Sequence, residues 1–211
     1  MTASEQFPVQ MTDGAEFPVR RLGNPNGTRL FISHGNGFGV DGYRVFWEKL
    51  LDRFDVILFD MRNHGRNPPT GADGHHYQQL ARDLGSVFRG VSEKLGRRKS
   101  VGIFHSMSGR AAMKHATEME WVWDALILFD PPNVPPPGHE QYETMRAFEL
   151  KLVEWATQRQ ETFESPAELQ QIFDANRAQS RWLPEARADM AKAILRSDGK
   201  GRYTQIGRAH V

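Results

Sequence analysis

Short apolar runs recur along the first part of the chain, at Leu30-Phe31-Ile32, Val56-Ile57-Leu58-Phe59, Val101-Gly102-Ile103-Phe104 and Ala125-Leu126-Ile127-Leu128-Phe129. Each stops at a turn or a polar residue, and continuous runs of this length predict strands buried on both faces. The segments between them follow another period. Tyr43, Phe46, Trp47, Leu50 and Leu51 fall at i, i+3, i+4, i+7 and i+8, the stripe of an amphipathic helix. Tyr77, Leu80, Leu84, Val87, Phe88, Val91 and Leu95 repeat it, with Gly96 just past the last position, where a C-cap belongs. Strands alternating with helices predict an α/β fold: a mostly parallel sheet with helices on both faces, joined by right-handed crossovers.

After Phe129 the pattern breaks. Asp130-Pro131-Pro132-Asn133-Val134-Pro135-Pro136-Pro137-Gly138 can be neither helix nor central strand and reads as a stiff linker. Beyond it, Tyr142, Met145, Phe148, Leu152 and Trp155 form one helical stripe. Ser165-Pro166-Ala167-Glu168 supplies an N-cap, a proline at the first helical position and a glutamate at the third, a capping box that opens a helix through Leu169, Ile172 and Phe173. A further helix runs from Pro184 through Met190 and Ile194 toward Asp198-Gly199. The expected organisation is an incomplete α/β core over residues 1–131 and an all-helical cap over residues 132–204. Gln6-Phe7-Pro8-Val9 and Glu16-Phe17-Pro18-Val19 echo each other once, too little to define a repeat.

Composition narrows the class without naming a function. With 39% hydrophobic and 25% charged residues, the 211-residue chain is expected to be a soluble globular protein. Its 27 basic and 26 acidic residues leave no global field to draw nucleic acid or an anionic membrane, so neither is expected as a partner. The absence of cysteine excludes disulfide scaffolds, thiolate metal sites and cysteine nucleophiles. Neither a membrane-spanning apolar run nor the basic start and apolar stretch of a secretory signal is present, so a cytoplasmic location is expected. His75 and His76 are adjacent rather than at metal-ligand spacing, and no metal is expected.

Three turns carry candidate chemistry. Phe104-His105-Ser106-Met107-Ser108-Gly109 follows one buried strand and precedes a helix-compatible stretch. A serine on such a tight turn is lifted above the sheet, with a helix N-terminus beneath it that favours negative charge. Small residues are wanted two positions to either side; Ser108 meets this, whereas Phe104 stands where glycine is usual in G-x-S-x-G. Ser33-His34-Gly35-Asn36-Gly37-Phe38-Gly39 follows an earlier strand, and its glycines allow backbone N–H groups to point at an oxyanion. Asp60-Met61-Arg62-Asn63-His64-Gly65 closes the strand between them and reads mainly as a structural turn.

Together the three turns resemble those of the α/β-hydrolase family, in which an HG-x loop, a D-x-R-x-H-G turn and an H-S-M-x-G elbow follow successive strands. The resemblance runs from about Phe17 to Asp130 as sheet and on to about Thr204 as cap. It implies Ser106 as nucleophile, the backbone N–H groups of Asn36 and Met107 as oxyanion hole, and His34 and His64 as loop organisers. Gly37, Phe38, His105, Met145 and Phe148 would surround the substrate. The implied reaction is cofactor-free hydrolysis of an ester or related acyl bond in a small apolar molecule. Carbon–carbon bond hydrolysis shares the arrangement, and a non-catalytic ligand-binding or receptor protein is the alternative from another class.

The family places its acid and its histidine after the serine. Asp130, ending the strand after the elbow, is the candidate acid. Of the later histidines, His115 reads as a packing residue on the helix leaving the elbow, and His139 opens the cap. His210 lies in Ile206-Gly207-Arg208-Ala209-His210-Val211, which the codons ATC GGA AGA GCA CAC GTC encode, a string resembling a common sequencing adapter. Residues 205–211 are therefore expected to be a non-native tail, and the chain an inactive fragment whose catalytic histidine and last strands lie elsewhere. Resequencing the source gene past the Gln205 codon tests this; an in-frame stop directly after Val211 refutes it.

Overall fold

The computed structural model describes residues 3–71 and 73–207. The four apolar runs are strands β3 (Arg29–Ser33), β4 (Asp55–Phe59), β5 (Ser100–His105) and β6 (Ala125–Phe129). They pair in parallel, β4 with β3, β3 with β5 and β5 with β6. Every residue of β3 and β4 is buried, as continuous apolar runs between two helical layers require.

Alternation along these strands builds two cores. Phe31, Ile57, Phe59 and Phe104 face helices α2 (Tyr77–Leu95) and α3 (Met107–Glu118), joined there by Leu80, Leu84, Phe88 and Trp123. Leu30, Ile32, Val56, Leu58 and Ile103 face the other way, onto Val40 and Trp47. Fully burying each such side chain is worth roughly 1.5–3 kcal/mol relative to leaving it in water. The stripe from Tyr43 to Leu51 folds not as one helix but as α1 (Arg44–Trp47) between two short 3₁₀ turns. Trp47 anchors it, its indole N–H donating to the Val40 carbonyl at 3.0 Å.

The single echo in the sequence is a hairpin. β1 (Ala3–Gln10) and β2 (Glu16–Gly23) pair antiparallel with Phe7 opposite Val19, Pro8 opposite Pro18 and Val9 opposite Phe17. β2 then joins the sheet beside β4, giving the order β1-β2-β4-β3-β5-β6. Pro8 lies on the sheet edge, and Pro18 lies just outside the β2–β4 register, which begins at Val19, so neither removes a donor between central strands.

The cap contains helices α4 (Tyr142–Thr157), α5 (Pro166–Ala175) and α6 (Pro184–Ala193), the last stopping short of the expected Asp198-Gly199. The Ser165 Oγ accepts the Glu168 N–H at 3.3 Å, the first half of a capping box, while the Glu168 carboxylate accepts the Glu164 N–H at 2.7 Å, one residue before the N-cap. It is mainly rather than wholly helical: β7 (Thr162–Phe163), β8 (Leu195–Ser197) and β9 (Tyr203–Gln205) form a small antiparallel sheet in the order β7-β9-β8. Strands of two or three residues are too short to show alternation. Phe163, Leu169, Phe173, Met190 and Ile194 make the cap core, against which Phe38 of the main domain packs. Past Thr204, Gln205 stays in β9 and the Ile206 N–H donates to Ile194 O at 2.9 Å; His210 falls outside the described residues. By contrast α4 exposes Phe148 and Trp155, and β6, paired on one side only among the described residues, exposes Ile127 and Phe129. Among the described residues no helix is long and apolar enough to cross a membrane.

Candidate active site

Ser106 is the single residue between the end of β5 and the start of α3. Its φ of 50° and ψ of −116° put it in a region that L-residues avoid, at a cost of roughly 1–3 kcal/mol that the surroundings must outweigh. They hold it from both sides. Its N–H donates to Phe129 O at 2.8 Å, its carbonyl accepts from Arg110 N–H at 3.0 Å, and the Ser108 hydroxyl donates to His105 O at 3.0 Å.

The structure explains the phenylalanine at 104. Its ring turns down into the core, with ring centroids 5.4 Å from Trp123 and 6.3 Å from Phe59. That volume is made available one alternation earlier, because a Cβ on Gly102 would collide with the Phe104 ring and stand 2.7 Å from Leu126 Cδ2. The Phe104 side chain is thus accommodated by a missing side chain two positions earlier on the same strand face. On the other side, a Cβ on Gly35 would lie 2.8 Å from His105 Nδ1 and 3.1 Å from the Ser106 Cβ, so only glycine lets the loop after β3 approach the serine.

That loop carries a nearly complete set of committed amides. The N–H of Gly35 reaches Tyr43 Oη at 3.4 Å, that of Gly37 donates to His64 Nε2 at 3.0 Å, and that of Phe38 to Gly35 O at 3.1 Å. Among the described residues the N–H groups of Asn36 and Met107 have no acceptor. These two residues and Ser106 line one cavity of about 210 Å³. The turn after β4 holds the loop: the Asp60 carboxylate accepts from Val40 N–H at 2.8 Å and Arg66 N–H at 3.0 Å. His34 accepts the Met61 N–H at 3.0 Å, and His64 bonds Arg62 O through Nδ1 at 2.7 Å. Since Nε2 of His64 accepts and Nδ1 donates, the ring is neutral, and burial holds its pKa well below the usual histidine value. Beneath them Arg62 grips Asp83 with two bonds of 2.7 Å.

Other candidates stand apart from the serine. Asp130 is exposed, with φ 46°, and does not line the Ser106 cavity. His105 faces away: its Nδ1 lies 2.7 Å from Tyr43 Oη, and with Phe38, Tyr43, Phe46 and Trp182 it lines a second, apolar cavity of about 520 Å³. Gly37 buttresses the loop through its bond to His64 rather than facing the Ser106 cavity. Met145 and Phe148 project outside the cavity, whereas Leu152, Val153, Trp155 and Ala156 of the same helix line it. His115 is buried against Gly85 of α2 and His139 bonds Gln141 N–H in the linker, so among the described residues no histidine meets the Ser106 hydroxyl.

Sequence reasoning did not identify Tyr77, Arg110, Pro132, Glu149 and Arg159, which complete the wall. Arg110 was reachable, since it stands one helical turn after Ser106 and so on the same side of α3. It pairs with Glu149 at 2.7 Å and stacks over the Tyr77 ring at 4.2 Å. Arg159, just past α4, carries no local signal; its guanidinium fills the space a Cβ on Gly37 would need.

Comparison with known proteins agrees with this architecture. Over 109 residues the chain is 28% identical to the Haemophilus influenzae protein named "Putative esterase/lipase", a stretch that spans 52% of this chain and 36% of that protein. The crystal structure of E-2-(acetamidomethylene)succinate hydrolase superposes with a TM-score of 0.73 at 19% identity, over 98% of this chain and 70% of that one. An α/β hydrolase from Novosphingobium aromaticivorans gives 0.75 at 18% identity, over 99% and 70%. At these identities the two structures speak for the fold alone. The profile of the alpha/beta hydrolase family matches residues 30–206, from the start of β3 to the end of the cap sheet, and with the elbow and loop just described this makes the chain a member of that family.

Proposed function

We propose that the protein is a serine hydrolase that cleaves an ester or related acyl bond of a small molecule, with Ser106 as nucleophile. The observation that carries this reading is the convergence on one cavity of a strained serine and the two uncommitted amides of Asn36 and Met107. The serine oxygen attacks the acyl carbon, and the negative charge that develops on the carbonyl oxygen is met by those two N–H groups and by the N-terminus of α3. Loss of one such donor costs on the order of 10²–10³ in kcat. The alcohol leaves with a proton, and water then attacks the acyl-serine to release the acid. In this reading a general base takes the serine proton during the attack and returns it to the leaving alcohol.

The test is fluorophosphonate labelling of the protein encoded by the complete source gene, beside Ser106→Ala. Labelling that disappears in the variant supports the assignment. A folded protein that is not labelled refutes it and leaves a ligand-binding protein of the same fold.

A further inference from the structure

One hydroxyl joins the two halves of the site. Tyr43 ends the 3₁₀ turn Val40–Tyr43, and its Oη lies 2.7 Å from His105 Nδ1 and 3.4 Å from the Gly35 amide nitrogen. Gly35 immediately precedes Asn36 and His105 immediately precedes Ser106, so the hydroxyl meets each segment one residue before the group that would act. Past Ser33 and Phe104, the last pair of the β3–β5 register, it carries the connection between loop and elbow. The turn is anchored through other elements, the Val40 N–H donating to Asp60 at 2.8 Å and the Trp47 indole to the Val40 carbonyl at 3.0 Å. The proton positions follow from the donors. Burial pushes the Tyr43 phenol well above its usual pKa, against the opposite pull of the Gly35 N–H, so the hydroxyl keeps its proton. Since the amide can only donate, Oη accepts from Gly35 and donates to Nδ1, which leaves the His105 proton on Nε2. The neutral imidazole that this requires is also the form that burial favours, against the charge of Asp130.

We infer that Tyr43 is a positioning residue whose hydroxyl, acting through His105, sets the spacing between the Asn36 amide on one side and Ser106 with the Met107 amide on the other. This rests on the reading of those two amides as the oxyanion hole. Two donors on separate segments stabilise one oxygen only if both lie within hydrogen-bond reach of it, and a displacement of about 1 Å costs on the order of 10²-fold in rate. A hydroxyl suits such a brace because it donates to one side while it accepts from the other. The imidazole is itself seated. The Phe38 ring lies parallel to it, with centroids 6.1 Å apart and planes 11° apart, and the Gly35 backbone packs on its edge, where a Cβ would stand 3.0 Å from Cε1.

The test reads geometry and not turnover: fluorophosphonate labelling can fail without touching the brace, and the brace can fail while labelling succeeds. Amide ¹H–¹⁵N NMR spectra of the 211-residue protein are recorded for the wild type, Tyr43→Phe, His105→Leu, the double variant and His105→Asn. Tyr43→Phe keeps the ring and removes only the oxygen. It is expected to shift the Met107 amide, across the site from Tyr43, and to release the His105 ring from its single tautomer in the side-chain ¹⁵N spectrum. In the His105→Leu background the same substitution is expected to leave the Met107 amide where it is, because the link is already cut. His105→Asn sets a carbonyl oxygen near the place of Nδ1 and is expected to return the Asn36 and Met107 amides toward their wild-type positions. A Met107 amide unmoved by Tyr43→Phe overturns the inference. So does an equal shift in the His105→Leu background, a His105→Asn spectrum that matches His105→Leu, or shifts spread over the whole sheet together with a lowered melting temperature.

Discussion

If Gly102 exists to make room for Phe104, the two residues must be energetically coupled. A methyl at position 102 would overlap the Phe104 ring and stand 2.7 Å from Leu126 Cδ2, in a region where Phe104 is wholly buried. Forcing such a group into a filled core costs about 1–3 kcal/mol. Removing the ring in Phe104→Ala costs about 3–5 kcal/mol, through lost burial and the cavity left behind. In the double variant the new methyl occupies part of that void, and only its contact with Leu126 remains to be relieved. The double variant should therefore be more stable than the sum of the single costs by about 1–3 kcal/mol. Urea unfolding followed by tryptophan fluorescence suits the measurement, because the Trp123 ring is 5.4 Å from that of Phe104. For a chain of this size each kcal/mol is worth roughly 2–4 °C in Tm, so Gly102→Ala alone should lower it by about 2–12 °C. Single costs that add to within about 0.5 kcal/mol would show that the glycine serves another purpose.

Other perturbations probe the site's support. Ser106→Gly removes the left-handed strain and is expected to stabilise the protein by about 1 kcal/mol relative to Ser106→Ala, which keeps it; equal unfolding midpoints would argue against strain at the elbow. Arg62→Met strands the buried Asp83 and should cost about 3–5 kcal/mol, whereas Arg62→Met with Asp83→Leu should recover most of it in thermal melts. His64 is neutral in the fold and binds a proton more readily when unfolded, so its contribution is complete above the ordinary histidine value and lost as pH falls below it. Stability should drop as pH falls below about 6.5, at up to about 1.4 kcal/mol per unit from this residue, and His64→Gln should flatten the profile. An unchanged slope in His64→Gln would place the titration elsewhere.

The central strands were legible because continuous apolar runs leave few alternatives, and Ser106 because a strand-turn-helix junction dictates how it is displayed. The N-cap at Ser165 is local chemistry and needed no tertiary information. The N-terminal hairpin escaped because its strands are half-buried and interrupted by Pro8 and Pro18, so that only their mutual register identifies them. The stripe of α4 pointed to a buried face, yet Phe148 and Trp155 are exposed; a hydrophobic period says which residues share a side, not what covers it. Arg159 could not be seen as part of the site because its partner surface, Gly37, lies far away in sequence and offers only an absence of side chain.

The two edges of the main sheet have different consequences for self-association. β1 presents Pro8, which cannot donate to a neighbouring strand, and Glu5, in an ion pair with Lys94 at 3.5 Å. β6 presents a regular strand with Ala125, Ile127 and Phe129 exposed. Copies that pair through β6 would meet around a twofold axis, each using up the open edge of the other, and the growing end of any such assembly would be a β1 edge that accepts no strand past Pro8. The concentration dependence of such association is that of a closed dimer rather than of a fibre.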